Sequence, residues 1–340
     1  MVRATLLDFV YAQLSSVPPL VTKDLTGKTV VVIGANTGLG FEATKHFARM
    51  NPGRLILGCR NQVRGGQAIS NIKRETGYER AELWLIDFLE FSSVQEFANK
   101  FEKDGGRLDY LVLNAGIIPL GERKETKDGW EHGLQVNCLS PSLLALRLLP
   151  CMAQTASKHS TTPRLVLVSS GLHYWAMFED KVVNSDAPLH VLSDEKYCTR
   201  KIMKHRYHDS KLINIFFIRA LSTHLKNRSV TVNTVNPGYC YSELRRGLAG
   251  INAMIDGIRE RLFAYTTEQG SRQLVWGALG EYDHELSGAY ISRSAVAEPS
   301  DFVIGDKGKK VQERLWRETL GILGKIDPKV VEVTEKYLIH

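Results

Sequence analysis

Tyr207-His-Asp-Ser-Lys211 opens an apolar-rich stretch (Leu212, Ile213, Ile215, Phe216, Phe217) that runs toward a β-branched segment at Val230 to Asn233. Spacing of i and i+4 puts the phenol and the ammonium on one helix face, where the cation favours phenolate. A phenol of ordinary pKa near 10 then becomes usable as an acid or base close to neutrality. The same spacing recurs at Tyr197 and Lys201, so the pattern alone is weak. That copy lies inside a long irregular stretch without a helix and strand behind it, and context selects Tyr207. Upstream, the run Leu165 to Val168 ends in Ser169-Ser170. A hydroxyl at the C-terminal edge of a sheet can hold a carbonyl or alkoxide oxygen, the alternative being a turn or a helix cap.

A third cluster handles phosphate. Gly34-Ala-Asn36-Thr37-Gly38-Leu39-Gly40 stands between a strand-like run, Thr29 to Ile33, and a helical run through Met50. Glycines there let the chain turn tightly and let backbone N–H groups approach a pyrophosphate at the following helix N-terminus. The spacing is G-x3-G-x-G rather than G-x-G-x-x-G. About 20 residues further on, the second strand ends Gly58-Cys59-Arg60-Asn61, where a dinucleotide fold senses the adenosine ribose. An acid there would accept from a 2′-hydroxyl, whereas an Arg neutralises a 2′-phosphate. The chain offers Arg60 and no acid, so NADP(H) is the expected cofactor; a surface Arg opening a polar helix is the rival reading.

The elements that must position these groups read as short β-branched runs alternating with helix-length segments: Thr29–Ile33, Arg54–Leu57, Leu83–Ile86, Tyr110–Leu113, Leu165–Val168 and Val230–Asn233. Near-continuous apolar strands in this rhythm predict an α/β fold, a single Rossmann-type doubly wound parallel sheet with helices on both faces. Two regions break the rhythm. Residues 171–206 are longer than an ordinary loop, and residues 243–264 carry Ile251, Met254, Ile255, Ile258 and Leu262 at helical spacing. Both are expected to cover a substrate. The expected organisation is an N-terminal extension with a short amphipathic helix (1–27, helix Ala4 to Leu14), a main domain (28–300) and a C-terminal helical extension (301–340).

With 340 residues, 43% hydrophobic and 24% charged, the composition excludes a disordered or fibrous chain. No charge-free stretch reaches the ~18–20 apolar residues of a membrane span, and the first residues lack the order of a secretory signal. A cytoplasmic location is expected, with peripheral membrane association left open. Five scattered cysteines without metal-ligand spacing point to reduced, mostly buried thiols and no metal site. The net charge of +7 is spread along the chain, which argues against a nucleic-acid partner. His173, His205 and His208 near the serine pair and Tyr207 are read as polar and non-catalytic.

Taken in order, these motifs resemble the short-chain dehydrogenase/reductase family, in particular its retinol-dehydrogenase-like and fungal secondary-metabolism branches, from Gly34 to about Ser242. The resemblance implies Asn137, Ser170, Tyr207 and Lys211 as the catalytic group: Tyr207 exchanging the proton, Lys211 on the nicotinamide ribose, Ser170 orienting the oxygen, Asn137 holding a water in the relay. It implies cofactor contacts from the glycine loop, Arg60, Asp87, Asn114-Ala115-Gly116, Tyr207, Lys211, Pro237-Gly238 and Ser242. Departures are modest: Ile33, Leu113 and Ser242 stand where the family usually has Thr, Asn and Thr. The implied activity is NADP-dependent hydride transfer to or from an alcohol or carbonyl of an apolar small molecule, such as a terpenoid or polyketide, by a chain whose relatives are commonly homo-oligomers. The alternative is a non-catalytic NADP-sensing or scaffold protein on the same fold, which loss of the Tyr or Lys would favour; both are present.

Overall fold

The run Thr-Val-Val-Val-Ile at Thr29–Ile33 (β1) is buried along its whole length. It pairs in parallel with Arg54–Cys59 (β2) on one side and Tyr110–Leu113 (β4) on the other, Val31 standing opposite both Ile56 and Leu111. The computed structural model describes residues 10–11, 13–119, 121–226, 228–242, 244, 257, 260–281 and 286–339. With Ala81–Leu85 (β3), Arg164–Val168 (β5), Thr231–Asn236 (β6), Tyr290–Ser292 (β7) and Ala295–Ala297 (β8), the strands form one eight-stranded sheet in the order β3-β2-β1-β4-β5-β6-β7-β8. All pairings are parallel except β7 with β8. The chain winds outward in both directions from the β1/β4 boundary, so a crevice opens above the C-terminal ends of those two strands.

Alternate residues of each strand feed the two cores, as the period of two requires. Val31, Ile33 and Ile56 face Phe91–Lys103 (α3), Ser140–His159 (α4), Arg206–His224 (α5) and Asp306–Ile326 (α7). Val30, Val32, Leu55 and Leu57 face Gly38–Arg49 (α1), Gln62–Thr76 (α2) and Thr267–Leu279 (α6). The last helix is Pro328–Tyr337 (α8). Among the described residues, one helical stretch, His132–His159, is apolar and long enough to cross a bilayer, but its most apolar window is 83% buried within the fold. All five cysteines are free, four of them buried.

The sheet ends differ from the sequence expectation. β3 begins two residues early and is an edge strand, with Leu85 50% exposed. The β7–β8 hairpin turns through Arg293 and Ser294, both at φ 56°, without the glycine or asparagine that marks such turns. The excursion at 171–206 is a series of short helical pieces. Its middle docks on α7: the Glu318 carboxylate accepts from the N–H groups of Leu189 and His190 at 2.6 and 3.0 Å, and Val182, Val183, Leu189 and Leu192 join the core. Gly171–Trp175 instead packs along the start of α5. Of the helix expected at Ala4–Leu14, residues 4–9 and 12 lie outside the described residues, as does most of 243–264, including Ile251, Met254, Ile255 and Ile258. Among the described residues of this segment, Tyr11 and Leu14 are 73% and 67% exposed, whereas Gln13 is buried.

Candidate active site

Gly34, at φ 81°, ends β1 and turns the chain above the crevice; a Cβ there would meet the Ala115 backbone at 2.8 Å. A Cβ at Gly40 would lie 2.2 Å from the Gly34 carbonyl oxygen, so this glycine lets α1 rest on the loop that precedes it. Asn114 locks the pair, its Nδ2 donating to the Gly34 carbonyl at 3.0 Å, while the N–H groups of Asn114 and Ala115 both donate to the Ile33 carbonyl. Gly38 is different: at φ 60° its Cβ would project into open space. The first turn of α1 carries no acidic residue, and Thr37 makes no side-chain cap. Its N–H groups are therefore left to an anion. Arg60 is exposed at the end of β2 and forms no ion pair among the described residues. Asp87 lies at the end of β3, its Oδ1 accepting from the Leu89 N–H at 3.0 Å.

The candidate acid–base residues lie on the other side of the crevice. Lys211 is buried, with Nζ donating to the Val168 carbonyl at 2.8 Å and lying 5.4 Å from the centre of the Tyr207 ring. Burial pushes its pKa down to about 8, desolvation disfavouring the ammonium. β5 is pinned to this helix turn by Ser169, whose Oγ donates to the Lys211 carbonyl at 2.8 Å. Asn137 sits in a π-helical turn, Gln135–Leu139, just before α4. Its side-chain amide accepts from the Ile117 N–H and donates to the Ile117 carbonyl, each at 2.9 Å, and also donates to Ser210 Oγ at 3.0 Å. Ser210 in turn donates to the Tyr207 carbonyl at 2.8 Å. A Cβ on Gly116 would lie 3.2 Å from Asn137 Oδ1 and 3.7 Å from Lys211 Nζ, so Gly116, Asn137 and Lys211 converge.

Ser170 accepts from the Leu172 N–H at 3.2 Å, capping the 3-10 turn Gly171–Trp175, and its O–H remains available to donate. Buried His173 holds this serine from behind: Nδ1 is 2.8 Å from the Ser170 carbonyl and Nε2 accepts from the Ser300 N–H at 3.2 Å. That pair of contacts defines the neutral Nδ1–H tautomer, and burial lowers the pKa to about 4. His208 is likewise pushed down to about 4, first by burial and then by His205.

The second Tyr-x-x-x-Lys is taken apart by the fold. Tyr197 precedes the short helix Arg200–Met203 and is buried in the core, its pKa raised to about 12 by desolvation, while Lys201 is exposed. Sequence reasoning missed Asn236, at the end of β6. Its Oδ1 accepts from both Gly171 and Gly238 at 2.9 and 3.1 Å and its Nδ2 donates to Ser292 Oγ, tying the segment after Ser170 to the Pro237-Gly238 turn. The Asn-Pro-Gly order was its only signal. Ser242 accepts from the Leu244 N–H at 3.1 Å. Of the large side chains after Ser170 and after Gly238, Tyr174 donates to the Glu298 carbonyl and Phe178 packs edge-on against Phe302, whereas Met177 and Tyr241 are 63% and 41% exposed. Leu248 lies outside the described residues.

Comparison with known proteins bears on this arrangement. The short chain dehydrogenase family model matches residues 28–174. The chain is 34% identical over 329 residues to the short chain dehydrogenase/reductase dmxR8 of Cryptosporiopsis sp., covering 95% of this chain and 99% of that one. It is 35% identical over 294 residues to the short chain dehydrogenase sol3 of Alternaria solani, covering 84% and 97%. Among solved structures, a short chain dehydrogenase from Shigella flexneri complexed with NADP aligns at TM-score 0.59 and 21% identity, covering 81% of this chain and all of that one. Salutaridine reductase from Papaver somniferum aligns at 0.58 and 21%, covering 77% and 99%. At these identities the two structures speak to the fold.

Proposed function

The chain belongs to the short-chain dehydrogenase/reductase family of oxidoreductases, and on that premise we propose that it is an NADP(H)-dependent enzyme acting on an alcohol or carbonyl group of an apolar small molecule. The observation that carries this reading is the convergence of buried Lys211 with Tyr207, Asn137 and Gly116 at the same sheet edge as an uncapped, acid-free helix N-terminus. The residues present fit a dinucleotide: Gly38 leaves space above the first turn of α1, and Arg60 is an exposed cation without an ion-pair partner among the described residues, at the place where a 2′-phosphate would lie. Gly34, Asn36, Thr37, Gly38, Leu39 and Gly40 would hold the pyrophosphate end, Asp87 the adenine, and Asn114 to Gly116 with Pro237, Gly238 and Ser242 the nicotinamide half. The bound nicotinamide supplies or accepts the hydride.

The chain's own residues then handle the proton. In the reductive direction the Tyr207 hydroxyl donates to the substrate oxygen as it gains negative charge; in the oxidative direction the phenolate takes the alcohol proton. Lys211 favours phenolate through its positive charge and holds the ribose. Ser170, whose lone pair is engaged by Leu172, donates its O–H to the same substrate oxygen. Asn137, its side-chain amide held by Ile117 and Ser210, would hold a water in the proton relay. The substrate class we favour is a fungal terpenoid or polyketide ketone, in keeping with the fungal relatives. The test is a panel of apolar ketones and alcohols with both nicotinamide cofactors, read by absorbance. NADPH-dependent turnover of a ketone, or its reverse with NADP, is expected; binding of neither cofactor would refute the reading.

A further inference from the structure

Gln13 is a polar side chain pressed inward from a helix end whose apolar neighbours face solvent. Its amide makes three hydrogen bonds to two loops far away in sequence. Oε1 accepts from the Tyr239 N–H at 3.0 Å, and Nε2 donates to the Tyr239 carbonyl at 2.9 Å and to the Phe263 carbonyl at 2.8 Å. The two loops are themselves paired: the Tyr265 N–H donates to the Tyr239 carbonyl and the Tyr241 N–H to the Tyr265 carbonyl, each at 2.9 Å. The Tyr265 hydroxyl reaches back to the Ser15 carbonyl, and Arg272, held by Glu268, reaches the Pro18 carbonyl. Residues 13–18 therefore run as a strap along the stem formed by Tyr239–Tyr241 and Tyr265.

That stem continues directly from Pro237-Gly238. Gly238 stands at φ 81°, and a Cβ on it would lie 2.9 Å from the Tyr265 ring and 3.2 Å from Gln13 Oε1. Its N–H is held by Asn236, which also holds Gly171 beside Ser170. The Gly238 turn is thus clamped between Asn236 on the sheet side and Gln13 on the strap side. We infer that Gln13 is a positioning residue for the nicotinamide half of the cofactor site, and that the N-terminal extension is a working part of that site. This rests on the cofactor reading above, in which Pro237 and Gly238 border the nicotinamide. A side-chain amide suits the task because it satisfies the N–H and C=O of one residue at once, as a neighbouring strand would, where no strand is available. Loss of the amide leaves Tyr239 N–H and the Phe263 carbonyl without these partners, and the turn is free to relax away from the sheet edge.

The experiment compares two probes by calorimetry: NADPH, and adenosine 2′,5′-bisphosphate, which carries the adenine half alone. Gln13→Ala and the volume-matched Gln13→Met are each expected to weaken NADPH about 5- to 20-fold, the loss of a few neutral hydrogen bonds, and to leave the bisphosphate within about twofold of wild type. KM for NADPH should rise more than the KM for the carbonyl substrate. Equal weakening of both probes would assign Gln13 to folding alone and overturn the inference, as would unchanged NADPH affinity in both variants. A wild-type chain that binds neither probe would refute the cofactor reading, and this inference with it.

Discussion

Replacing Lys211 by Met should make the protein more stable while removing its activity. The ammonium is buried and its pKa is pushed from 10.5 down to about 8. That difference corresponds to about 3 kcal/mol of cost for holding the charge in the folded state at neutral pH. Below pH 8 both states are protonated and the whole cost is present; between 8 and 10.5 the unfolded chain binds the proton more tightly, so stability rises with pH. Met fills similar volume without charge, but leaves the Val168 carbonyl without the 2.8 Å donor it has from Nζ, a loss of ~1–2 kcal/mol. The balance is a gain of about 1–2 kcal/mol at pH 7. Urea unfolding of both proteins at pH 7 and pH 9.5 measures it. Relative to the variant, wild type should recover about 2 kcal/mol between those pH values, while turnover by the variant falls at least ~100-fold at both. A variant less stable than wild type at pH 7, with no pH-dependent difference between the two, would refute the claim that Lys211 is a charged lysine held at a cost for chemistry.

Tyr207→Phe should lower turnover at least ~100-fold with NADPH still bound, whereas Tyr197→Phe, in the core and away from Lys211, should retain most activity; steady-state kinetics of the two variants decides between them. Arg60→Ala should weaken NADPH roughly 10- to 150-fold, the worth of a charged hydrogen bond, and leave NADH almost unchanged; equal losses for both cofactors in a titration would remove the 2′-phosphate assignment. His173, depressed from 6.5 to about 4 by burial, contributes stability that is present above pH 6.5 and lost as pH falls toward 4. Between pH 7 and pH 5 wild type should therefore lose about 2 kcal/mol more than His173→Gln in urea unfolding, and equal losses would show that the neutral ring is not what holds Ser170.

What could be read in advance follows from where the determining contacts lie along the chain. The glycine loop, the Tyr207-x-x-x-Lys211 spacing and the strands β1 to β6 depend on neighbours within a few residues, so local pattern is enough to propose them. Choosing between two Tyr-x-x-x-Lys copies already needed a longer view, and burial of Tyr197 with exposure of Lys201 supplies the physical reason. The β7–β8 hairpin escaped because Arg293 and Ser294 adopt left-handed backbone without the residues that advertise it. Asn236 and Gln13 escaped for a different reason, and His173 was legible only as polar and non-catalytic. Each is a polar side chain whose partners are distant in sequence: Gly171 for Asn236, Ser300 for His173, Tyr239 and Phe263 for Gln13. No local pattern distinguishes such a residue from a solvated one. These three hold the backbone around Ser170 and Gly238 from behind, from the sheet, from the segment after β8 and from the N-terminal strap. Spacing identifies the candidate acid–base groups; long-range polar contacts set the geometry in which they are held. In this chain the two sets meet at Gly171 and Gly238, both held by the one Asn236 amide oxygen. A substitution at Asn236 should therefore disturb Ser170 and the nicotinamide side together, where one at His173 or Gln13 disturbs a single side.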